Sequence, residues 1–198
     1  MRRSASVLAL LTILVGALLG PAQAAADMVS KAEQWFDAIT TMQADFIQVA
    51  SDGTYAEGVL HFRRPHRMKI IYDLDEPLIL LTTPVWLHVD TPATKLVTSY
   101  PISETPLGLI LQENVQLRAP DIETVSEVKD GIVSITLNKE TGAAAGMLKL
   151  EFTEKPFELR RWMIRDATDV TTTITLQNTR YGHRYKNSFF SVSDYSRD

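Results

Sequence analysis

Cysteine is absent from the 198-residue chain. Without a thiol, the protein can form no disulfide, hold no thiolate metal site and carry no lipid attached through cysteine. Its stability must therefore come from a packed core. A chain of this length is long enough to build one in a single domain.

Long apolar runs are also scarce. One run, residues 7–19, follows Arg2 and Arg3 and precedes the small-x-small sequence Ala22-Gln23-Ala24. This run is too short to span a bilayer, and the order of charge, apolar run and small residues is that of a secretory signal peptide. We expect residues 1–24 to be a signal peptide cleaved after Ala24, with Ala26 as the second choice. A membrane anchor or twin-arginine export fits these residues less well.

An excess of positive charge is missing as well. Removing residues 1–24 leaves residues 25–198 with 18 basic and 24 acidic side chains, a net charge of −6. This balance disfavours nucleic acid and anionic membrane surfaces as partners. We expect residues 25–198 to form a single soluble domain, which the predicted signal peptide directs to the periplasm. We also expect it to be monomeric and to need no cofactor.

The mature sequence begins with one amphipathic helix and then changes period. Ser30 and Glu33 have the spacing of a capping box. Apolar residues recur nearby at helical spacing: Met28, Ala32, Trp35, Phe36 and Ile39. From Thr41 onward the period is two, and turn signals such as Asp52-Gly53 and Asp130-Gly131 separate short segments.

Eleven strands follow from this pattern, at residues 42–50, 55–64, 67–73, 78–82, 85–89, 95–100, 123–129, 132–138, 147–152, 159–166 and 171–178. Short strands joined by turns, without alternating helices, predict an antiparallel sheet curled into an incomplete barrel. Alternation gives this sheet one apolar face and one charged face. The apolar face either encloses a ligand cavity or is filled as an ordinary core by Trp35, Phe36 and a second helix.

The second predicted helix lies in SETPLGLILQE, residues 103–113. Thr105 can cap it and Pro106 suits its first position. Its leucine and isoleucine side chains cover most of its circumference, which requires burial against other parts of the protein.

Arg64 follows Leu60 and Phe62 on the apolar face of its strand. A buried arginine must find hydrogen-bond acceptors or extend to water, because its charge persists. Two interpretations stay open: Arg64 ends the strand and reaches solvent, or its planar fork binds the free carbonyls at the end of the second helix.

The segments EGVLHFRRPHRMKIIY, MQADFIQ, EPLILLTTPVWLHVDTPATKLVT and TPLGLIL resemble, in order and approximate spacing, the outer-membrane lipoprotein carrier (LolA) family. The resemblance covers residues 32–111 well and the rest as strand rhythm. It implies an incomplete β-barrel with an N-terminal helix and a short helical lid over an apolar cavity. It also implies a periplasmic chaperone that shields lipoprotein acyl chains and carries them from an inner-membrane ABC transporter to the outer membrane.

The resemblance also implies site residues. Arg64 matches an arginine that ties the lid shut in empty family members. The resemblance, which strand alternation supports for Met68, Ile70 and Tyr72, predicts an acyl-chain site of eleven residues: Phe46, Leu60, Phe62, Met68, Ile70, Tyr72, Leu80, Trp86, Leu107, Ile110 and Leu111. The tail lacks the family's usual Pro-Gly segment, so an outer-membrane acceptor lipoprotein stays an open partner.

Two other functions compete. The histidines at 61, 66, 88 and 183, with nearby aspartates, supply material for acid–base or metal chemistry. Because they lack the spacing of a known catalytic motif, we predict that the protein is not an enzyme and binds no metal. A periplasmic binding or sensor module of the same fold, for another lipid class, stays the alternative.

Overall fold

A computed structural model describes residues 21–140, 145–165 and 169–195 of the chain. The first twenty positions of the predicted signal peptide lie outside these residues. Over the described residues the chain forms eleven strands: β1 Thr41–Ala50, β2 Tyr55–Arg63, β3 Arg67–Tyr72, β4 Leu78–Thr82, β5 Trp86–Thr91, β6 Leu96–Pro101, β7 Glu123–Lys129, β8 Ile132–Lys139, β9 Gly146–Thr153, β10 Glu158–Arg165 and β11 Thr171–Tyr181.

These strands form one antiparallel sheet in the order β6-β5-β4-β3-β2-β1-β11-β10-β9-β8-β7. Strands β1 and β11 join its two halves, whereas the edge strands β6 and β7 do not pair with each other. The sheet is therefore open, as predicted. All eleven predicted strands are confirmed, each ending within three residues of its predicted bounds.

The helices are α1, Pro21–Ala38, and α2, Gly108–Leu111, with 3-10 turns at Pro92–Thr94, Ile102–Glu104 and Asn187–Phe190. Helix α1 buries Val29, Ala32 and Phe36 against the concave face of the sheet. The Phe36 and Phe152 rings meet edge to face with their centroids 6.1 Å apart. This packing covers the β7–β10 half of the sheet.

The predicted capping box is wrong, because α1 begins at Pro21, nine residues before Ser30. Ser30 and Glu33 instead bind a later segment of the chain. The Ser30 hydroxyl accepts a hydrogen bond from Arg118, and a Glu33 carboxylate oxygen accepts one from the backbone N–H of Leu117 at 2.8 Å. Polar residues inside α1 therefore tether the chain that follows α2.

The predicted cap of the second helix is also wrong. Thr105 ends the preceding 3-10 turn, and its hydroxyl donates to the Ile102 carbonyl oxygen at 2.9 Å. The N–H groups of Gly108, Leu109 and Ile110 bond to carbonyls three residues earlier, at 3.0–3.2 Å. These bonds have the tighter 3-10 spacing, and only Gly108–Leu111 is α-helical, so α2 is a single turn. Residues 105–113 are called the lid below.

Candidate functional site

The concave face of the sheet gathers most of the predicted acyl-chain site. Phe46, Leu60, Phe62, Met68 and Ile70 are all at least 96% buried in one apolar cluster. Tyr72 and Leu80 are half-buried and pack at the border of that cluster. The lid residues Leu107, Ile110 and Leu111 are buried in the same cluster. The structure therefore brings ten of the eleven predicted residues to one place.

Trp86 is the exception. Its neighbour His88 lies in register with Leu81, which in turn lies in register with Lys69 on the convex face. Because side chains alternate along a strand, Trp86 shares this outer face with His88, and it is 43% exposed. The prediction followed its apolar character, although alternation already placed it outside.

Five further residues surround the centre of the interior and were not among the eleven predicted for the acyl-chain site. They come from α1 and the residue after it, from the start of β1 and from β10: Phe36, Ile39, Met42, Leu159 and Trp162. Four of the five had a usable signal in the sequence. Phe36 and Ile39 belong to the apolar stripe predicted for the first helix, Met42 alternates with Phe46, and Trp162 alternates with Ile164.

The interior is filled by the protein's own side chains. The space left between Phe36, Leu60, Met68, Ile110 and Trp162 is about 10 Å³, roughly enough for one water molecule. The Trp162 indole N–H is buried there without a hydrogen-bond partner among the described residues. An acyl chain can therefore enter only if the lid or α1 moves away.

Arg64 connects β2, the lid and α1. Its side chain is 7% exposed, and it donates hydrogen bonds to the carbonyl oxygens of Ile110 at 3.3 Å and Glu113 at 2.6 Å. It also forms an ion pair with Asp37 at 3.1 Å. Burial lowers the pKa of Arg64, and the negative charge of Asp37 opposes that change. The guanidinium thus satisfies carbonyls that one helical turn leaves free.

The lid has further attachments on either side. The backbone N–H of His66 donates to the Leu111 carbonyl at 3.0 Å. At the other end, Gly108 lies so close to Ile102 that a Cβ atom on it would be 2.6 Å from the Ile102 carbonyl oxygen. The closed lid is therefore held by polar contacts at its end and by close packing at its start.

A cleft of about 430 Å³ lies on the other side of the lid. Leu109 and Ile122 line it together with the lid's polar residues and an ion pair between Lys139 and Asp121, whose charged atoms are 2.7 Å apart. This cleft separates the lid from the β7–β8 edge of the sheet. It gives the lid free space next to the open side of the sheet.

The described residues contain no group of three or more His, Asp or Glu side chains that could hold a metal ion. Nor is any helix within them long and apolar enough to cross a membrane.

The family model described as outer membrane lipoprotein carrier protein LolA matches residues 37–193. No curated protein matches the sequence. An uncharacterized conserved protein from Thermus thermophilus is 10% identical, with a TM-score of 0.52 over 89% of this chain and 96% of that one. A DUF1329 family protein from Desulfovibrio piger is 12% identical, with a TM-score of 0.51 over 89% and 98%. A LolA superfamily protein from Nitrosomonas europaea is 10% identical, with a TM-score of 0.49 over 85% and 97%. At such identities, the likeness of the first two is one of fold alone.

Proposed function

Because this chain belongs to the outer membrane lipoprotein carrier protein LolA family, we propose that it is a periplasmic carrier of lipoproteins. It shields their acyl chains and shuttles them from an inner-membrane ABC transporter to the outer membrane; whether an acceptor lipoprotein receives them there stays open. The protein performs no chemistry on its cargo and needs no cofactor. Its acyl-chain site consists of ten of the eleven predicted residues, all except Trp86, and of the five interior residues given above.

The observation that supports this proposal best is the contact between Arg64 and the lid. A lid whose inner side chains fill the apolar interior is held shut through two backbone carbonyls and one exposed carboxylate, that of Asp37. These bonds lie at the border of the interior, so they can break without disturbing the sheet. Lid opening would expose the apolar surface that acyl chains need.

The energetics of such a carrier require a competitor for the cargo. Burying an acyl chain gains ~0.8 kcal/mol per methylene, so uptake needs no chemical energy. Release is harder, because the same gain must be given back. In the closed state Ile110 and Leu111 occupy the interior and Arg64 binds the lid. This self-filled state competes with cargo and lowers its affinity.

The test is native mass spectrometry of the purified protein mixed with a detergent-free triacylated lipoprotein, and separately with the same polypeptide without acyl chains. We expect a one-to-one complex with the acylated form alone. Ile70→Gln should weaken this complex, because Ile70 faces the interior. Ile71→Gln, one residue along the same strand and on the convex face, is the matched control, with circular dichroism to verify folding.

Three other outcomes would argue against the proposal. Failure to bind the lipoprotein, together with co-purified lipid of another class, would favour a binding or sensor module. Absence of both would contradict a carrier and leave the lid as part of an ordinary core. Equal binding of the acylated and unacylated polypeptides would show recognition of the protein part and contradict an acyl-chain site.

A further inference from the structure

The C-terminal segment, residues 182–195, crosses the convex face of the sheet, opposite the acyl-chain site. Tyr185 and Phe189 pack there against His61, with ring centroids 5.6 and 4.8 Å from its ring. The Phe189 carbonyl accepts a hydrogen bond from Lys69 at 3.1 Å, and Arg63 donates to Asn187 at 3.1 Å. The segment is thus fixed to β2 and β3 at several points.

A pocket of about 450 Å³ lies between this segment and the sheet. The residues that line it are mostly cationic or aromatic: His61, Lys69, His183, Arg184, Tyr185, Lys186, Ser188 and Phe189. Among these described residues there is no carboxylate. Three permanent positive charges and two imidazoles therefore surround one concave space on a chain whose net charge is −4.

The charges in the pocket are not neutralised by ion pairs within it. Arg184 and Lys186 are exposed, and their side chains form no hydrogen bond or ion pair with the described part of the chain. Lys69 donates to a backbone carbonyl and lies 4.8 Å from the centre of the Phe189 ring. Burial lowers its pKa, and Asp90 opposes that change.

The neighbouring cations also affect the pKa of His61. Its pKa is lowered to about 4, mainly by burial and further by the positive charges of Lys69 and His183. Each additional cation in a partly enclosed space makes the others less favourable unless an anion joins them. The cations that line the pocket therefore favour a negatively charged ligand.

We propose that this pocket binds a phosphate group, with Arg184 and Lys186 as its exposed cations and Lys69 as the cation fixed to the Phe189 carbonyl. The planar fork of arginine matches phosphate oxygens, and lysine supplies a compact charge. The hydroxyl of Ser188 lines the same pocket and can donate a hydrogen bond. A phosphate reaches the pocket either as a soluble phosphate ester or as the head group of a phospholipid.

Two probes separate these sources. Glycerol 3-phosphate is titrated into the purified protein by calorimetry, and vesicles of phosphatidylglycerol are compared with vesicles of phosphatidylcholine by co-sedimentation. The test variant is Arg184→Gln with Lys186→Gln, which removes two exposed charges whose side chains form no hydrogen bond or ion pair with the described residues. The control, Lys129→Gln with Lys155→Gln, removes the same charge from exposed positions elsewhere.

We expect at least about a tenfold loss of phosphate affinity in the test variant, since two charge-assisted contacts are removed. The control should bind within about twofold of the parent, because net charge alone changes little once salt screens it. Binding of the soluble ester would identify a small-molecule site, and binding confined to phosphatidylglycerol vesicles would identify a head-group site. Absence of binding to both probes, or equal losses in the two variants, would overturn the proposal.

The site is independent of the proposed carrier function. It lies on the convex face, and glycerol 3-phosphate has no acyl chain that could enter the interior. Loss of lipoprotein binding in Ile70→Gln with unchanged phosphate binding would separate the two sites. The variant with Arg184→Gln and Lys186→Gln should lose phosphate binding and keep lipoprotein binding.

Discussion

At the scale of single residues, two adjacent arginines have different surroundings because strand alternation sends them to opposite faces. Arg63 donates to Asn187 in the C-terminal segment and lies over the Phe190 ring. Arg64 turns inward and donates to the lid carbonyls of Ile110 and Glu113. The pair therefore provides a matched experiment on the lid.

Arg64→Leu should destabilise the closed lid, because the carbonyls of Ile110 and Glu113 lose their donor. We expect the free energy of unfolding to fall by about 1–3 kcal/mol. Acylated cargo should bind more tightly and transfer more slowly, by about tenfold for each 1.4 kcal/mol taken from the closed state. Arg63→Leu is the control and should leave cargo transfer unchanged. A variant at Arg64 that takes up and releases cargo like the parent would refute the latch role.

Gly58 is needed for space rather than for an unusual backbone angle. It lies in register between Phe46 and Tyr72, whose rings meet edge to face across it at 5.3 Å. A Cβ atom on Gly58 would be 2.1 Å from the Ile71 carbonyl oxygen. We expect Gly58→Ala to lower the free energy of unfolding by about 1–3 kcal/mol, measured by urea denaturation. Glu57→Ala, on the exposed face of the same strand, should change it by less than about 0.5 kcal/mol.

At the scale of elements, the strands were predictable and the helix ends were not. Alternation and turn residues specify strands locally, and strands such as β4 and β7 have the predicted bounds. The start of α2 was missed because the Thr105 hydroxyl donates to the Ile102 carbonyl and does not cap the helix. The start of α1 was missed because Ser30 and Glu33 serve a segment more than 80 residues later.

The C-terminal segment should respond to acid through His61. Its pKa is about 4 in the folded protein, whereas an unfolded histidine titrates near 6.5. The stabilising contribution of the neutral ring is therefore complete above about pH 6.5 and is lost as the pH falls toward 4. His61→Phe keeps the ring contacts and cannot be protonated, so its unfolding free energy should vary less across this window.

Chemical denaturation at several pH values between 7 and 4 tests this expectation. His66→Asn is the control, since residue 66 has a positive φ of 66° that asparagine tolerates. It should retain the pH dependence of the parent. If the parent and His61→Phe show parallel curves, His61 does not govern the acid response of the segment.

At the scale of the whole molecule, the open sheet and its apolar concave face could be predicted, but not how the interior is occupied. Composition allowed a ligand cavity or an ordinary core. The packing of Phe36, Trp162 and Ile110 leaves about 10 Å³ in the closed state. That volume depends on how three distant segments meet, which no local pattern encodes. The closed interior must therefore open before an acyl chain can bind in it.

The coupling between cargo and lid can be measured because the chain has no cysteine. Gln112→Cys introduces one thiol at an exposed position of the lid, where an environment-sensitive fluorophore can be attached without a second site of labelling. We expect its emission to shift when a triacylated lipoprotein binds, since Leu111 beside it must leave the interior. The unacylated polypeptide should cause no shift. Glu127→Cys, on the exposed face of β7, is the control and should not respond to either polypeptide.

Cargo binding without a change at the labelled lid would place the acyl chains elsewhere. The concave side of β6 is the alternative, because Leu96 and Tyr100 are 57% and 51% exposed there and share the face of Val89 and Leu87. In that case a charged substitution at Leu96 should weaken binding and one at Leu111 should not. The other result would be an emission shift at the lid, with binding weakened by a charged substitution at Leu111 and not by one at Leu96. That result would establish that cargo and lid compete for the same interior.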